Sequence, residues 1–136
     1  MRILFIFLDG IGLGDDDPTL NPFAAAHTPT LNALANHQRW LRDVGTQHTA
    51  RGVLLALDAQ LGIEGRPQSG TSQAAILTGL NVPQMLGKHY GPKPDAETRR
   101  ILEQDNLFMQ LKHAGKSAAL INAYPPRLLD DISRGK

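Results

Sequence analysis

Cysteine is absent from the 136 residues, which rules out disulfides and thiolate-held metals alike. Any metal must be held by Asp, Glu, His or hydroxyl oxygens. A strong charge of either sign is also missing. The formal net charge is +1, and Lys and Arg are scattered, which argues against a basic nucleic-acid footprint. No apolar run approaches the ~18 residues of a membrane span. The opening apolar run, residues 3–8, is broken by Asp9 with no small-residue cleavage site after it, so a signal peptide does not fit. The expectation is a soluble cytoplasmic chain with no nucleic-acid or membrane partner.

What is present has the balance of a globular domain, 41% apolar and 20% charged. Residues 3–8 are continuously apolar and β-rich, the pattern of a strand buried on both faces of a parallel sheet. Thr28 ahead of Pro29 reads as a helix N-cap, followed by an apolar stripe of Leu31, Leu34, Ala35 and Leu41. Residues 52–59 read as a second strand. Residues 71–78 read as a short helix that Gly79 ends in a left-handed conformation. Helices are expected over 96–104 and 106–114, with Gly115 as a stop, then a third strand in "KSAALINAYPP". This alternation predicts an α/β fold with a mainly parallel sheet flanked by helices. Three parallel strands make a thin sheet that needs cover on both faces, and no helix follows the last. Residues 1–136 are therefore expected to be the N-terminal part of a larger domain.

Ligands in open α/β sheets bind beyond the C-terminal ends of the strands. Asp9 closes the first expected strand, and "GRPQSG" follows the second and opens a helix. A carboxylate beside a hydroxyl at a helix N-terminus suits phosphoryl chemistry. The carboxylate holds a hard divalent cation, which lowers the hydroxyl pKa and neutralises an incoming phosphate. Backbone N–H groups at the helix start favour the anion. Ser69, Thr71 and Ser72 all offer hydroxyls here, and each could equally cap the helix. Lys88 and His89, in a loop between Gly87 and Gly91, are candidates for touching an anionic substrate. Asp15, Asp16 and Asp17 lack the spaced acceptors and closing Glu of a calcium loop and read as a solvated turn. "GIGLG" misses the spacing of a dinucleotide-binding loop.

"FIFLDGIG" followed by "NPFAAAHTPTLNAL" resembles the opening of cofactor-independent phosphoglycerate mutase. That family has an apolar strand, Asp-Gly, a variable loop, then Thr-Pro-x-Leu on a helix. "QSGTSQAAILTG" is similar to the stretch carrying the family's nucleophilic Ser, which falls on Ser69, with Thr71 and Ser72 one short shift away. Phosphopentomutases and alkaline phosphatases align the same way, all within the alkaline-phosphatase-like metalloenzyme superfamily. Where the mutases have Gly-His, this chain has Ser72-Gln73, closer to a bacterial group with Pro-Gln-Ser-Ala-Thr-Gly-Gln.

The resemblance implies a metal-dependent phosphatase or phosphomutase-like enzyme acting on a small phosphorylated substrate. Ser69 is then the nucleophile, and Asp9 and Ser69 are ligands in a site of two divalent ions, Zn or Mn. The superfamily draws its other ligands from Asp and His residues further along. Only His89 and His113 follow Ser69, with no Asp-His pair. The rest of the metal site is therefore expected outside these residues. The chain alone is expected to be inactive, with its metal site incomplete or empty, and to self-associate through apolar surface. A phosphodiesterase or sulfatase of the same superfamily, and a non-catalytic α/β ligand-binding domain, are the alternatives.

Overall fold

The computed structural model describes residues 2–122. Helices dominate, and the ordered packing centres on the helices that follow residue 68.

The first half is held by short local elements. Helix α1, Pro22–Ala25, starts at Asn21, whose side chain accepts from the Phe23 N–H. Helix α2, Pro29–Ala33, has Thr28 at its N-cap and Pro29 in its first turn, as the sequence predicts. It is shorter than the apolar stripe suggested. Asn36 and His37 take positive φ of 51° and 65°, which turns the chain out of the helix after Leu34. Two members of the stripe still reach the interior, since Ala35 and Leu41 are buried beside Val44. Trp40 donates its indole N–H to the Leu31 carbonyl at 2.9 Å and lies against Phe23, ring centroids 6.2 Å apart.

Strands β1, Gln47–Thr49, and β2, Gly52–Leu54, form an antiparallel pair with Gln47 opposite Leu54 and Thr49 opposite Gly52. The Thr49 hydroxyl fixes the turn by accepting from the N–H groups of Arg51 and Gly52 at 3.2 Å each. A side-chain oxygen bonding the backbone two residues on is a local turn former.

The second half is a helical cluster. Helix α3, Ser69–Thr78, packs against α4 (Val82–Leu86), α5 (Ala96–Gln104) and α6 (Leu107–His113). Ala74, Val82 and Ile101 form its buried centre, with Ala75, Leu86 and Leu102 around them. Each junction is capped locally. Gly79 ends α3 at φ +73°. Asn81 starts α4 and also donates to the Leu61 carbonyl at 2.8 Å, tying down the preceding loop. Asp95 starts α5, and Asn106 starts α6 by accepting from Phe108 and Met109 N–H groups.

The sheet differs from the expectation. The described residues contain helices and a two-stranded antiparallel sheet, and a mainly parallel sheet is not among them. Residues 3–8 run without strand partners and stay exposed, Leu4 at 82%. The expected strand over 52–59 pairs only through Leu54, and antiparallel. The part of the third expected strand up to Asn122 is also unpaired, and its remainder lies outside the described residues. The apolar pattern is that of buried strands. A strand needs a neighbour to satisfy its N–H and C=O groups, and among the described residues none lies alongside. The one parallel contact among the described residues is an isolated bridge between Gly14 and Leu41. No helix among the described residues is long and apolar enough to cross a membrane.

Candidate functional site

The N-terminus of α3 is where the candidate residues meet. Gln68 is the N-cap residue in extended conformation, and Ser69 is the first helical residue, two positions earlier than the sequence pattern suggested. The Ser69 hydroxyl donates to Asp9 Oδ2 at 2.9 Å. The structure thus brings together two of the predicted residues that lie sixty positions apart in the chain. Asp9 is exposed and Ser69 half-buried, so the pair faces solvent. Gln73, one turn further along α3, donates its side-chain amide to the same Asp9 oxygen at 3.3 Å.

The other two hydroxyls sit differently. Thr71 is fully buried. Its N–H donates to the Tyr90 carbonyl at 3.0 Å, and its Oγ1 accepts from the Tyr90 N–H at 3.2 Å. That is a two-point clamp on the loop after α4. Ser72 Oγ is buried with no hydrogen-bond partner among the described residues. Of the three, only Ser69 bonds Asp9.

The same loop lies against the start of α3 because Gly70 has no side chain. A Cβ at Gly70 would stand 2.6 Å from the Tyr90 carbonyl oxygen and 3.0 Å from that of Lys93. Gly91 is also close on the other side, its notional Cβ 3.1 Å from the Ser69 nitrogen. Two glycines let two backbone segments touch where the nucleophile candidate is presented. The peptide between Gly91 and Pro92 is cis.

Lys88 and His89 lie in this loop but point to protein partners. Lys88 Nζ is 2.9 Å from Asp95 Oδ2 and 3.6 Å from Glu97 Oε2, and it lies 5.2 Å above the centre of the Tyr90 ring. The hydrogen bond with Asp95 raises the Lys88 pKa above the usual lysine value. His89 Nε2 sits 3.0 Å from the Ile63 carbonyl oxygen, so Nε2 carries the proton. Its Nδ1 is buried with no hydrogen-bond partner among the described residues. Both residues border an open cleft of about 440 Å³, shared with Glu64, Arg66 and Gln68. Arg66 is a cation that the sequence reading did not single out. It has no hydrogen bond or ion pair among the described residues. Its place two residues before Gln68 in a Gly/Pro loop was the available signal.

The acidic triplet is occupied by structural partners. Arg42 pairs with Asp15 at 2.6 Å, Arg39 pairs with Asp16, and Asp17 accepts from the backbone and hydroxyl of Thr19. The Thr19 hydroxyl bond is the main cause of a lowered Asp17 pKa. The solvated-turn reading needs this refinement: two of the three carboxylates are guanidinium-paired.

The donor set at α3 fits a hard cation in kind. Asp9 and Ser69 supply a carboxylate and a hydroxyl from separate segments, and divalent ions such as Mn and Mg accept such oxygens. It is short in number. Among the described residues there is no group of three His, Asp or Glu side chains placed to hold a metal. No family model, curated protein or solved structure matches the chain.

Proposed function

We propose that this chain presents the nucleophile and one metal ligand of a metal-dependent phosphoryl-transfer enzyme, a phosphatase or phosphomutase-like activity on a small phosphorylated substrate. The observation that supports it is the 2.9 Å contact between Ser69 and Asp9 at the start of a helix. A capping serine has no need of a carboxylate sixty residues away, and α3 shows no side-chain cap bond at all. A nucleophilic serine does need a neighbour that orients its hydroxyl and takes up or offsets its proton.

In this reading Asp9 and Ser69 are two ligands of a site for two divalent ions, Zn or Mn. The remaining ligands come from polypeptide beyond these residues. The mainly parallel sheet belongs to the same proposal, with residues 3–8 and the apolar segment after Lys116 as strands whose neighbours lie there too. A divalent cation held at Asp9 and Ser69 supplies charge neutralisation and makes the serine hydroxyl more acidic.

The residues of this chain perform the rest. Asp9 fixes the direction of the Ser69 hydroxyl. Ser69 Oγ bonds to phosphorus as the bond from phosphorus to the leaving alcohol oxygen breaks, with the two oxygens in line. The Ser69 proton is released to water, and the leaving oxygen takes a proton from water and departs as the alcohol. The phosphoserine is then cleaved by water, which releases phosphate, or by a second hydroxyl, which completes a mutase cycle. The dipole at the start of α3 favours the anionic group near Ser69. Arg66, on the adjoining cleft, gives a non-reacting anionic part of the substrate a cation to meet.

The test is a trapping experiment in a polypeptide that also carries the remaining ligands. With Mn present and an aryl phosphate as phosphoryl donor, tryptic mass spectrometry should find one phosphoryl group on Ser69. Ser69→Ala should abolish both label and turnover while the circular dichroism spectrum is unchanged. Label on Thr71 or Ser72 would overturn the assignment of the nucleophile, and turnover that survives Ser69→Ala would overturn the mechanism.

A further inference from the structure

Asp9 Oδ2 accepts two hydrogen bonds, from Ser69 Oγ at 2.9 Å and from Gln73 Nε2 at 3.3 Å. Ser69 and Gln73 are four residues apart on α3, so both side chains emerge from one face of the helix. The two donors converge on one carboxylate oxygen. Asp9 Oδ1 accepts no hydrogen bond among the described residues.

We infer that Gln73 is a positioning residue for Asp9, holding Oδ2 so that Oδ1 is presented to a divalent cation. The inference rests on the reading of Asp9 as a metal ligand. The two donors are not equivalent. A serine that acts as nucleophile loses its proton and can no longer donate to a carboxylate. The Gln73 amide keeps its protons at every working pH and carries no charge. It is therefore the donor that stays on Asp9 when Ser69 is ionised. A Lys or Arg in its place would also hold the carboxylate but would repel the cation. An uncharged donor avoids that conflict. Groups that orient a metal ligand through a hydrogen bond commonly change metal affinity about 10–100-fold when removed.

The titration uses the polypeptide of the trapping experiment, which carries the remaining ligands, and its readout must tolerate binding weakened by a variant. Paramagnetic broadening of the Ser69 and Gly70 amide signals, followed against added Mn, does so. Gln73→Met keeps the side-chain length and removes the donor. It should raise the Mn concentration for half-broadening about tenfold, with an unchanged thermal midpoint in the absence of metal. Without metal, the Gln73 side-chain amide signals should differ between the wild type and Asp9→Asn, as a hydrogen bond to Asp9 requires. Half-broadening within twofold of wild type in Gln73→Met, alongside loss in Asp9→Asn, overturns the positioning role and leaves the metal reading standing. Unchanged broadening in Asp9→Asn, or none in the wild type, overturns the metal reading and this inference with it.

Discussion

Ser69 Oγ and Asp9 Oδ2 stand 2.9 Å apart across sixty positions of chain. Asp9 is also the only member of residues 2–12 that makes hydrogen bonds among the described residues. The bond therefore does two things at once. It orients a hydroxyl, and it fixes an otherwise unbonded apolar segment to the helical cluster.

Gly70→Ala should be more damaging than a helix-to-alanine change normally is. Alanine favours a helix over glycine by about 1 kcal/mol, so the local effect alone would stabilise α3. The added Cβ would meet the Tyr90 carbonyl at 2.6 Å and that of Lys93 at 3.0 Å. Forcing backbone apart in a packed region costs about 1–3 kcal/mol, and the clash should win. Thermal unfolding checks it, and a midpoint equal to or above wild type would show that the loop can move freely.

Asp95 gives the stability a pH dependence. Backbone and hydroxyl hydrogen bonds from Thr98, then the bond from Lys88, lower its pKa from 3.8 to about 2. A carboxyl with a depressed folded-state pKa contributes stability that is present above its unfolded value and lost as pH falls through the folded one. The window runs from about pH 4 down to about pH 2. Asp95→Asn keeps an acceptor for the Thr98 N–H but removes the charge. It should flatten the loss of stability across that window relative to wild type, measured by urea unfolding at each pH. Parallel curves for the two proteins would show that Asp95 does not carry the dependence.

The chain should self-associate. Ile3, Leu4, Phe5, Ile6 and Leu8 are all exposed, as are Leu120 and Ile121. Unpaired, apolar, extended backbone is a template for pairing with another copy. Light scattering should show species larger than one chain, reduced by Leu4→Lys together with Ile6→Lys. A clean monomer at tens of micromolar, or oligomers untouched by the double change, would contradict this.

What was legible in the sequence was local. Asp95 and Asn106 sit within three residues of the N–H groups they cap, so α5 and α6 follow from neighbours alone. Gly79 and Gly115 stop helices for an equally local reason, a positive φ. Sheet partners are not local, and apolar runs say only that burial is wanted, not what supplies it. Asp9 and Ser69 could be paired in advance because each lay at an element's end in a recognisable order. Gln73 was read as a departure from a pattern. Its spacing of four from Ser69 was the sign that both share a helix face. Lys88 was read by its charge alone, while Asp95, seven residues on, already claimed it.

The bridge between Gly14 and Leu41 has a consequence for Asp9. The Gly14 carbonyl accepts from the Arg42 N–H at 2.8 Å, and the adjacent ion pairs of Asp15 and Asp16 secure the same spot. Asp9 thus hangs on a leash of five residues, which at full stretch reaches roughly 17 Å. A group on so short a leash meets its target at millimolar or higher effective concentration. Each time the Asp9 latch opens it recloses on Ser69 in the same molecule, whatever the dilution of the protein.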